Sequence, residues 1–65
     1  MTTVKWVAQG GNGTFIFDKE PIMEEMYGEP TFGYSEGECK EISVDAANKL
    51  GATYGKCVKV TIEEV

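Results

Sequence analysis

The chain has 65 residues and a formal net charge of −5, with six lysines, eleven acidic residues, and neither arginine nor histidine. A chain of this length hides only about 60% of its unfolded surface on folding, so it has room for one small core. Its hydrophobic content of 42% is close to the globular average and argues against intrinsic disorder. We therefore predict a single domain over residues 1–65.

The sequence offers no signal for export or membrane insertion. Its apolar runs are far shorter than the ~20 residues that cross a bilayer, and its first residues lack the pattern of a signal peptide. Two cysteines are too few for a disulfide framework. These features predict a cytoplasmic protein with reduced thiols and no membrane partner.

The first two predicted elements form a β-hairpin. Polar and apolar side chains alternate over residues 3–9, which indicates a half-buried strand anchored by Trp6. Asn12-Gly13 favours a tight type I′ turn, because both residues accept a positive φ. Residues 14–18, with two aromatic side chains and a β-branched one, then predict the returning strand.

The segment 19–37 has no clear period. Pro21 and Pro30 cannot donate backbone hydrogen bonds, and glycines interrupt the remainder. Residues 22–27 fit a single helical turn, whereas residues 31–34 fit a short strand or part of an ordered Ω-like loop. The arrangement of this segment is left open by the sequence.

The last third of the chain predicts strand, helix and strand. Residues 38–42 form the third strand, and Ser43 caps a helix over residues 44–50 that Gly51 ends. One narrow apolar stripe on the helix consists of Val44, Ala47 and Leu50. The final strand covers residues 56–62, with the even-numbered valines and Ile62 facing the core.

Together these elements predict an α+β fold. About four strands form a small, mostly antiparallel sheet that is twisted or partly curled, and one short helix lies between the last two strands. The residues predicted to form the core are Trp6, Phe15, Phe17, Ile42, Leu50, Val58, Val60 and Ile62.

The composition removes most catalytic chemistry. Without histidine the chain cannot form a Ser-His or Cys-His catalytic pair or a zinc site with histidine ligands. Without arginine it cannot bind phosphate through the bidentate hydrogen bonds of a guanidinium group. We predict that the protein is not an enzyme and has no catalytic residues, metal site or cofactor. Cys39 and Cys57 are interpreted as structural thiols, with a disulfide between neighbouring strands or a reactive thiol as alternatives.

Carboxylates, methionines and aromatic residues are interleaved from Glu20 to Tyr34, which we call the acidic segment. Its carboxylates form a solvated face, a calcium site or a surface for a basic partner, and its apolar residues serve either the core or an interface. The net charge argues against direct binding of nucleic acid. The candidate partner-binding residues are Glu20, Met23, Glu24, Glu25, Met26, Tyr27, Glu29, Phe32 and Tyr34.

A resemblance adds a biological setting. The layout resembles small accessory proteins encoded by phages, prophages and other mobile elements, over most of the chain. The residues that carry it are Trp6-Val7-Ala8, Asn12-Gly13, Phe17 with Glu20-Pro21, the stretch from Gly37 to Ser43, and the closing stretch from Val58 to Ile62. The resemblance implies a compact protein that binds and blocks a host enzyme or defence factor, and it supplies no catalytic residue.

The leading hypothesis is a non-enzymatic protein-binding module whose acidic segment meets another protein with a basic surface. The first alternative is a self-associating unit, a homodimer formed through an exposed edge of the last strand. The second alternative is a nucleotide-binding protein that holds phosphate with its lysines and backbone amides, against an unfavourable net charge.

Overall fold

The computed structural model describes residues 1–33 and 37–63. Within these residues the strands in chain order are β1 Thr2–Gly10, β2 Gly13–Phe17, β3 Ile22–Met26, β4 Glu29–Gly33, β5 Cys39–Glu41 and β6 Lys56–Glu63, and the helix, α1 Val44–Lys49, precedes β6. Four strands form an antiparallel sheet in the order β5-β2-β1-β6, and β3 pairs with β4 in a separate antiparallel hairpin. The expected antiparallel sheet and short helix are confirmed.

The strand count was underestimated because the acidic segment is itself a hairpin. Of the possibilities left open for this segment, the helical turn over residues 22–27 is wrong, since residues 22–26 are β3 and Met23 lies opposite Phe32 in β4. Tyr27 and Gly28 reverse the chain with φ values of 54° and 78°. Two consecutive positive φ values are typical of the tight turns that join hairpin strands.

The helix has a different relation to the sheet from the one expected. β5 and β6 flank α1 in the chain, but they occupy the two opposite edges of the four-stranded sheet. The helix is therefore not inserted between two paired strands. It lies over one face of the sheet, where Ala47 packs against Val7 of β1.

The helix ends follow the sequence closely. The Ser43 hydroxyl accepts a hydrogen bond from the Ala46 backbone N–H at 3.2 Å, which satisfies one of the free donors of the first turn. Asp45 lies in the first turn and Lys49 in the last, where each charge is favourable to the helix dipole. Gly51 follows with a φ of 92°, so the predicted cap and stop are both confirmed.

The predicted hairpin of β1 and β2 is confirmed, but its turn is displaced by one residue. Gly10 pairs with Gly13, so Gly11 and Asn12 form the corner, and Gly13 alone takes a positive φ. The displacement leaves the Asn12 side chain free to reach another strand. That contact, described below, explains why the turn departs from the type I′ geometry expected for Asn12-Gly13.

The core consists of two clusters on opposite faces of the sheet. Val7, Ala47 and Ala52 are buried on the helix side, and Ala8, Phe17 and Phe32 are buried on the hairpin side. β1 is therefore covered on both faces at Val7 and Ala8, not half-buried as the alternating pattern suggested.

The predicted core is correct only in part. Phe17 is buried, whereas Leu50 and Ile62 are 45% and 39% exposed. The helix is only six residues long, and its closest packing to the sheet is made by Ala47. The remaining predicted core residues are partly buried: Trp6, Phe15, Ile42, Val58 and Val60.

Within residues 1–33 and 37–63 we find no helix with the length and apolar character that a membrane span requires.

Candidate functional site

The hairpin of β3 and β4 is held on the sheet through β4. The backbone N–H of Gly11 donates to the Pro30 carbonyl oxygen at 2.7 Å. The Asn12 side-chain amide donates to the Phe32 carbonyl at 2.9 Å and accepts from the Phe32 N–H at 3.2 Å. Asn12 thus pairs with Phe32 much as a neighbouring strand would, and it covers part of the outer edge of β4.

Two glycines let β4 approach this closely. A Cβ atom on Gly10 would lie 2.6 Å from the Pro30 carbonyl oxygen, and one on Gly11 would lie 2.5 Å from the Glu29 carboxylate. The absence of a side chain permits the backbone contact. The sequence analysis gave Gly10-Gly11 no role in docking, so the pair of glycines was the available signal for this contact and was missed.

Phe32 anchors the hairpin in the core. Its side chain is only 5% exposed and packs with Ala8 and Phe17 on the hairpin side of the sheet. Phe32 was predicted as a partner-binding residue, but its burial assigns it to the core instead. It fixes the position of the strands around it, and only a small part of its ring reaches the surface.

β3 is the exposed half of the hairpin. Every residue from Ile22 to Met26 is exposed, including the apolar side chains of Ile22 at 59%, Met23 at 58% and Met26 at 49%. Among the described strands, β4 alone pairs with β3, so the outer backbone edge of β3 is open. Open strand edges of this kind are templates for pairing with another chain.

The tip of the hairpin displays an aromatic ring. Tyr27 is 98% exposed, and its φ of 54° is a backbone conformation that bulky residues rarely adopt. Asn or Gly would occupy this turn position without the steric cost of a bulky Cβ. The Tyr27 ring therefore adds nothing to the core, and Tyr27 stays a candidate partner-binding residue, as the sequence analysis predicted.

Carboxylates surround the exposed apolar side chains. Glu20, Glu24, Glu25 and Glu29 are all exposed, as the sequence interpretation required. In the described part of the chain no group of three or more Asp, Glu, Cys or His residues is arranged to hold a metal ion. Tyr34, the last predicted binding residue, lies outside the described residues.

A groove of about 460 Å³ lies between β3 and the sheet. Trp6, Pro21, Met23 and Phe32 give it an apolar lining, and Glu20 and Lys59 add one charge of each sign. Trp6, predicted to anchor the core, is only partly buried because one side of its ring faces this groove.

The two thiols lie far apart. Cys39 is on one edge strand and Cys57 on the other, three inter-strand steps or about 14 Å across the sheet. The alternative of a disulfide between neighbouring strands is therefore wrong, and both cysteines are free. Burial, with a smaller effect from the Glu20 carboxylate, raises the pKa of the Cys57 thiol, so the unreactive thiol form is favoured.

A small charged pocket lies beside β1 and β2, apart from the hairpin. The Lys5 ammonium forms an ion pair with the Asp18 carboxylate, and the hydrogen bond from Lys5 is the main cause that lowers the pKa of Asp18. Glu38 and Lys40 line the same pocket, so two ammonium groups face two carboxylates there. This balance offers little to the phosphate of a nucleotide.

No protein-family model, curated protein or solved structure matches this chain.

Proposed function

We propose that this protein is a non-enzymatic protein-binding module and that the β3–β4 hairpin is its docking element. The observation that carries the proposal is the exposure of β3 at every position, apolar side chains included. Ile22 and Met26 lie on one face of β3 and Met23 on the other. Exposed apolar side chains beside an open strand edge are available to a binding partner. The hairpin is also positioned for binding, because β4 is attached to the sheet at Gly11, Asn12 and Phe32.

The partner presents an extended, lysine-bearing segment to the open edge of β3. Main-chain hydrogen bonds to an added strand supply affinity without requiring a deep pocket. Glu24 and Glu25 lie on this strand, and cross-strand pairs of opposite charge are favourable while like charges are unfavourable. A basic strand therefore fits the edge better than an acidic one, and it associates faster at low salt.

A second copy of β3 fits this edge poorly. The full-length antiparallel pairing of two β3 strands places Glu24 opposite Glu24, and each Glu25 opposite a Met23. Like charges directly opposite one another destabilise a strand pair. The charges on β3 therefore select a different sequence as partner.

The biological form of the proposal is inhibition. Docking of the hairpin on a basic surface covers that surface. We propose that the covered protein is a host enzyme or defence factor, as the sequence resemblance to accessory proteins of mobile elements implies. An association driven by charge is weakened by salt, so inhibition is expected to fall as ionic strength rises.

A labelled peptide of alternating lysine and valine tests the docking element. We expect wild-type protein to bind it in a fluorescence anisotropy titration at low salt. The triple variant Glu24→Lys, Glu25→Lys, Glu29→Lys is expected to lose at least about tenfold in affinity. The matched control Glu38→Lys, Glu41→Lys, Glu63→Lys changes the net charge equally but leaves the hairpin intact.

Equal losses in the two triple variants would mean that only the net charge matters, and the hairpin would no longer be the docking element. Absence of binding by the wild-type protein at millimolar peptide would remove the proposed partner chemistry altogether.

Self-association through β6 is the second candidate. β6 is an eight-residue strand at the edge of the four-stranded sheet, as the sequence hypothesis of an exposed last strand required. An edge of this length is able to pair with a second copy. Sedimentation at tens of micromolar distinguishes the candidates, because a strict monomer eliminates the homodimer and a tight dimer argues against the simple docking module.

A further inference from the structure

The groove beneath β3 lies where a strand added to that edge would project its side chains. Met23 and Phe32 are opposite one another in the hairpin, and Phe32 is buried against the sheet, so the Met23 side of the hairpin faces the sheet. Met23 also lines the groove. Side chains of an added strand alternate between the two faces, so every second one points into the same groove.

The lining of the groove favours a neutral apolar side chain. Trp6, Pro21 and Phe32 form its apolar surface, with Met23 on the β3 side. Glu20 and Lys59 contribute one charge of each sign, so the lining has no net charge to select a cation or an anion. The groove is open to solvent and far larger than a single methyl group, so a large side chain enters without displacing the core.

We propose that this groove is the specificity pocket of the docking site and accepts one large apolar side chain from the extended, lysine-bearing segment that pairs with β3. This inference rests on the proposed function, because the segment must first add to the β3 edge. Lysines on the segment's other face meet Glu24 on the outer side of the hairpin, while the apolar side chain enters between Trp6 and Met23. The partner sequence is thus an alternation of lysine and apolar residues with one dominant apolar anchor.

Two peptides test the pocket. Both alternate lysine and valine, and they differ only in a central leucine or a central alanine on the valine face. We expect the leucine peptide to bind about tenfold more tightly, since about two methylene equivalents of additional apolar surface are buried in an open groove. Trp6 is the only tryptophan in the chain, so its emission reports on the groove and is expected to shift to shorter wavelength when the leucine peptide binds.

Two methionines of the same strand provide matched variants. Met23→Ser removes one wall of the groove, whereas Met26→Ser removes a similarly exposed methionine from the opposite face of β3. We expect Met23→Ser to reduce the leucine preference to about twofold and Met26→Ser to leave it near tenfold. Both side chains are about half exposed or more, so neither variant is expected to unfold the protein.

The cysteines give a second measurement. Cys57 lines the groove, and Cys39 lies on the opposite edge strand. We expect the bound leucine peptide to slow alkylation of Cys57 several-fold and to leave Cys39 unchanged. Equal slowing at both thiols, or none at Cys57, contradicts occupancy of the groove.

The outcomes separate this inference from the proposed function. If both peptides bind with equal affinity, and that binding still depends on Glu24, the β3 edge is the docking element but the groove is not its specificity pocket. If neither peptide binds, the proposed function fails and the inference fails with it.

Discussion

The inner strand β1 of the sheet and the strand β3 of the hairpin use apolar residues in opposite ways. In the sheet, consecutive residues Val7 and Ala8 are both buried, one beneath the helix and one beneath the hairpin. In the hairpin, Phe32 alone enters the core cluster, while β3 leaves its apolar side chains exposed. The chain buries little surface in total, and the exposed side chains of Ile22, Met23 and Met26 in β3 add little to that core.

The two strands of the hairpin also differ from each other in burial and attachment. β4 carries the attachment, through the backbone contacts to Gly11 and Asn12 and the burial of Phe32. β3 carries the exposed surface and the open edge. Substitutions in the two strands should therefore separate stability from binding, and the following changes test that separation in order of expected size.

The largest effect is expected from Phe32→Ala. Removing a buried aromatic side chain from a core typically costs about 3–5 kcal/mol, which is a large share of the stability of so small a domain. Urea denaturation followed by circular dichroism measures the loss. Met23 lies at the paired position of β3 and is 58% exposed, so Met23→Ala should cost less than about 1 kcal/mol. Equal costs for the two variants would contradict the division between the strands.

Gly10→Ala is expected to be the next most damaging change. The added methyl group meets the Pro30 backbone oxygen at 2.6 Å, so either β1 or β4 must shift, at a cost of about 1–3 kcal/mol. Gly33→Ala is the matched control, because its Cβ would find its nearest neighbour at 3.8 Å, an ordinary contact. Thermal unfolding compares the pair, and a Gly10→Ala protein as stable as Gly33→Ala would show that close approach of β4 is unimportant.

Tyr27→Asn is expected to change stability in the opposite direction. Asn adopts a positive φ more readily than Tyr, so the variant should gain up to about 1 kcal/mol while losing affinity for the basic peptide. Tyr54→Asn, a control at another exposed tyrosine without a positive φ, should bring no gain. A Tyr27→Asn variant that loses stability and keeps its affinity would contradict the role given to the hairpin tip.

The smallest expected effect is the pH dependence of stability that arises from the Lys5–Asp18 ion pair in the sheet. Because the Lys5 hydrogen bond lowers the pKa of Asp18 below 3.8, the ionised carboxylate favours the folded state at neutral pH. That contribution is lost as pH falls from about 3.8 through the lower folded value, and it is small because both side chains are partly exposed. An NMR titration of the Asp18 carboxyl carbon should show the lowered pKa, and Lys5→Met should return it towards 3.8.

Local signals in the sequence predicted much of the four-stranded sheet. Ser43 and Gly51 marked the two ends of the helix. The alternation around Trp6 predicted β1, an inner strand of the sheet, and the alternation around Val58 predicted the edge strand β6. These features depend on neighbouring residues alone. They were readable because caps and strand periodicity are local properties of the chain.

The hairpin was missed because its local sequence signals argue against strands, and the contacts that stabilise it are long-range. Pro21, Pro30 and Gly28 read as interruptions, and Tyr27 is a poor residue for the tight turn it occupies. The contacts that stabilise it are long-range: Gly10 accommodates Pro30, and Asn12 binds the backbone of Phe32. Acidic residues of the segment were correctly expected on the surface, but which aromatic residue would be buried depended on those contacts.

The most direct test of β3 as the docking edge is a map of amide chemical shifts. ¹⁵N-labelled protein is titrated with the alternating lysine and valine peptide that carries the central leucine. The account predicts that the largest shift changes fall on residues 22–26 and on Trp6, and that residues 39–41 at the opposite edge of the sheet change little. Shift changes concentrated on residues 60–63 of β6, away from the groove, or spread evenly over the surface, would contradict it.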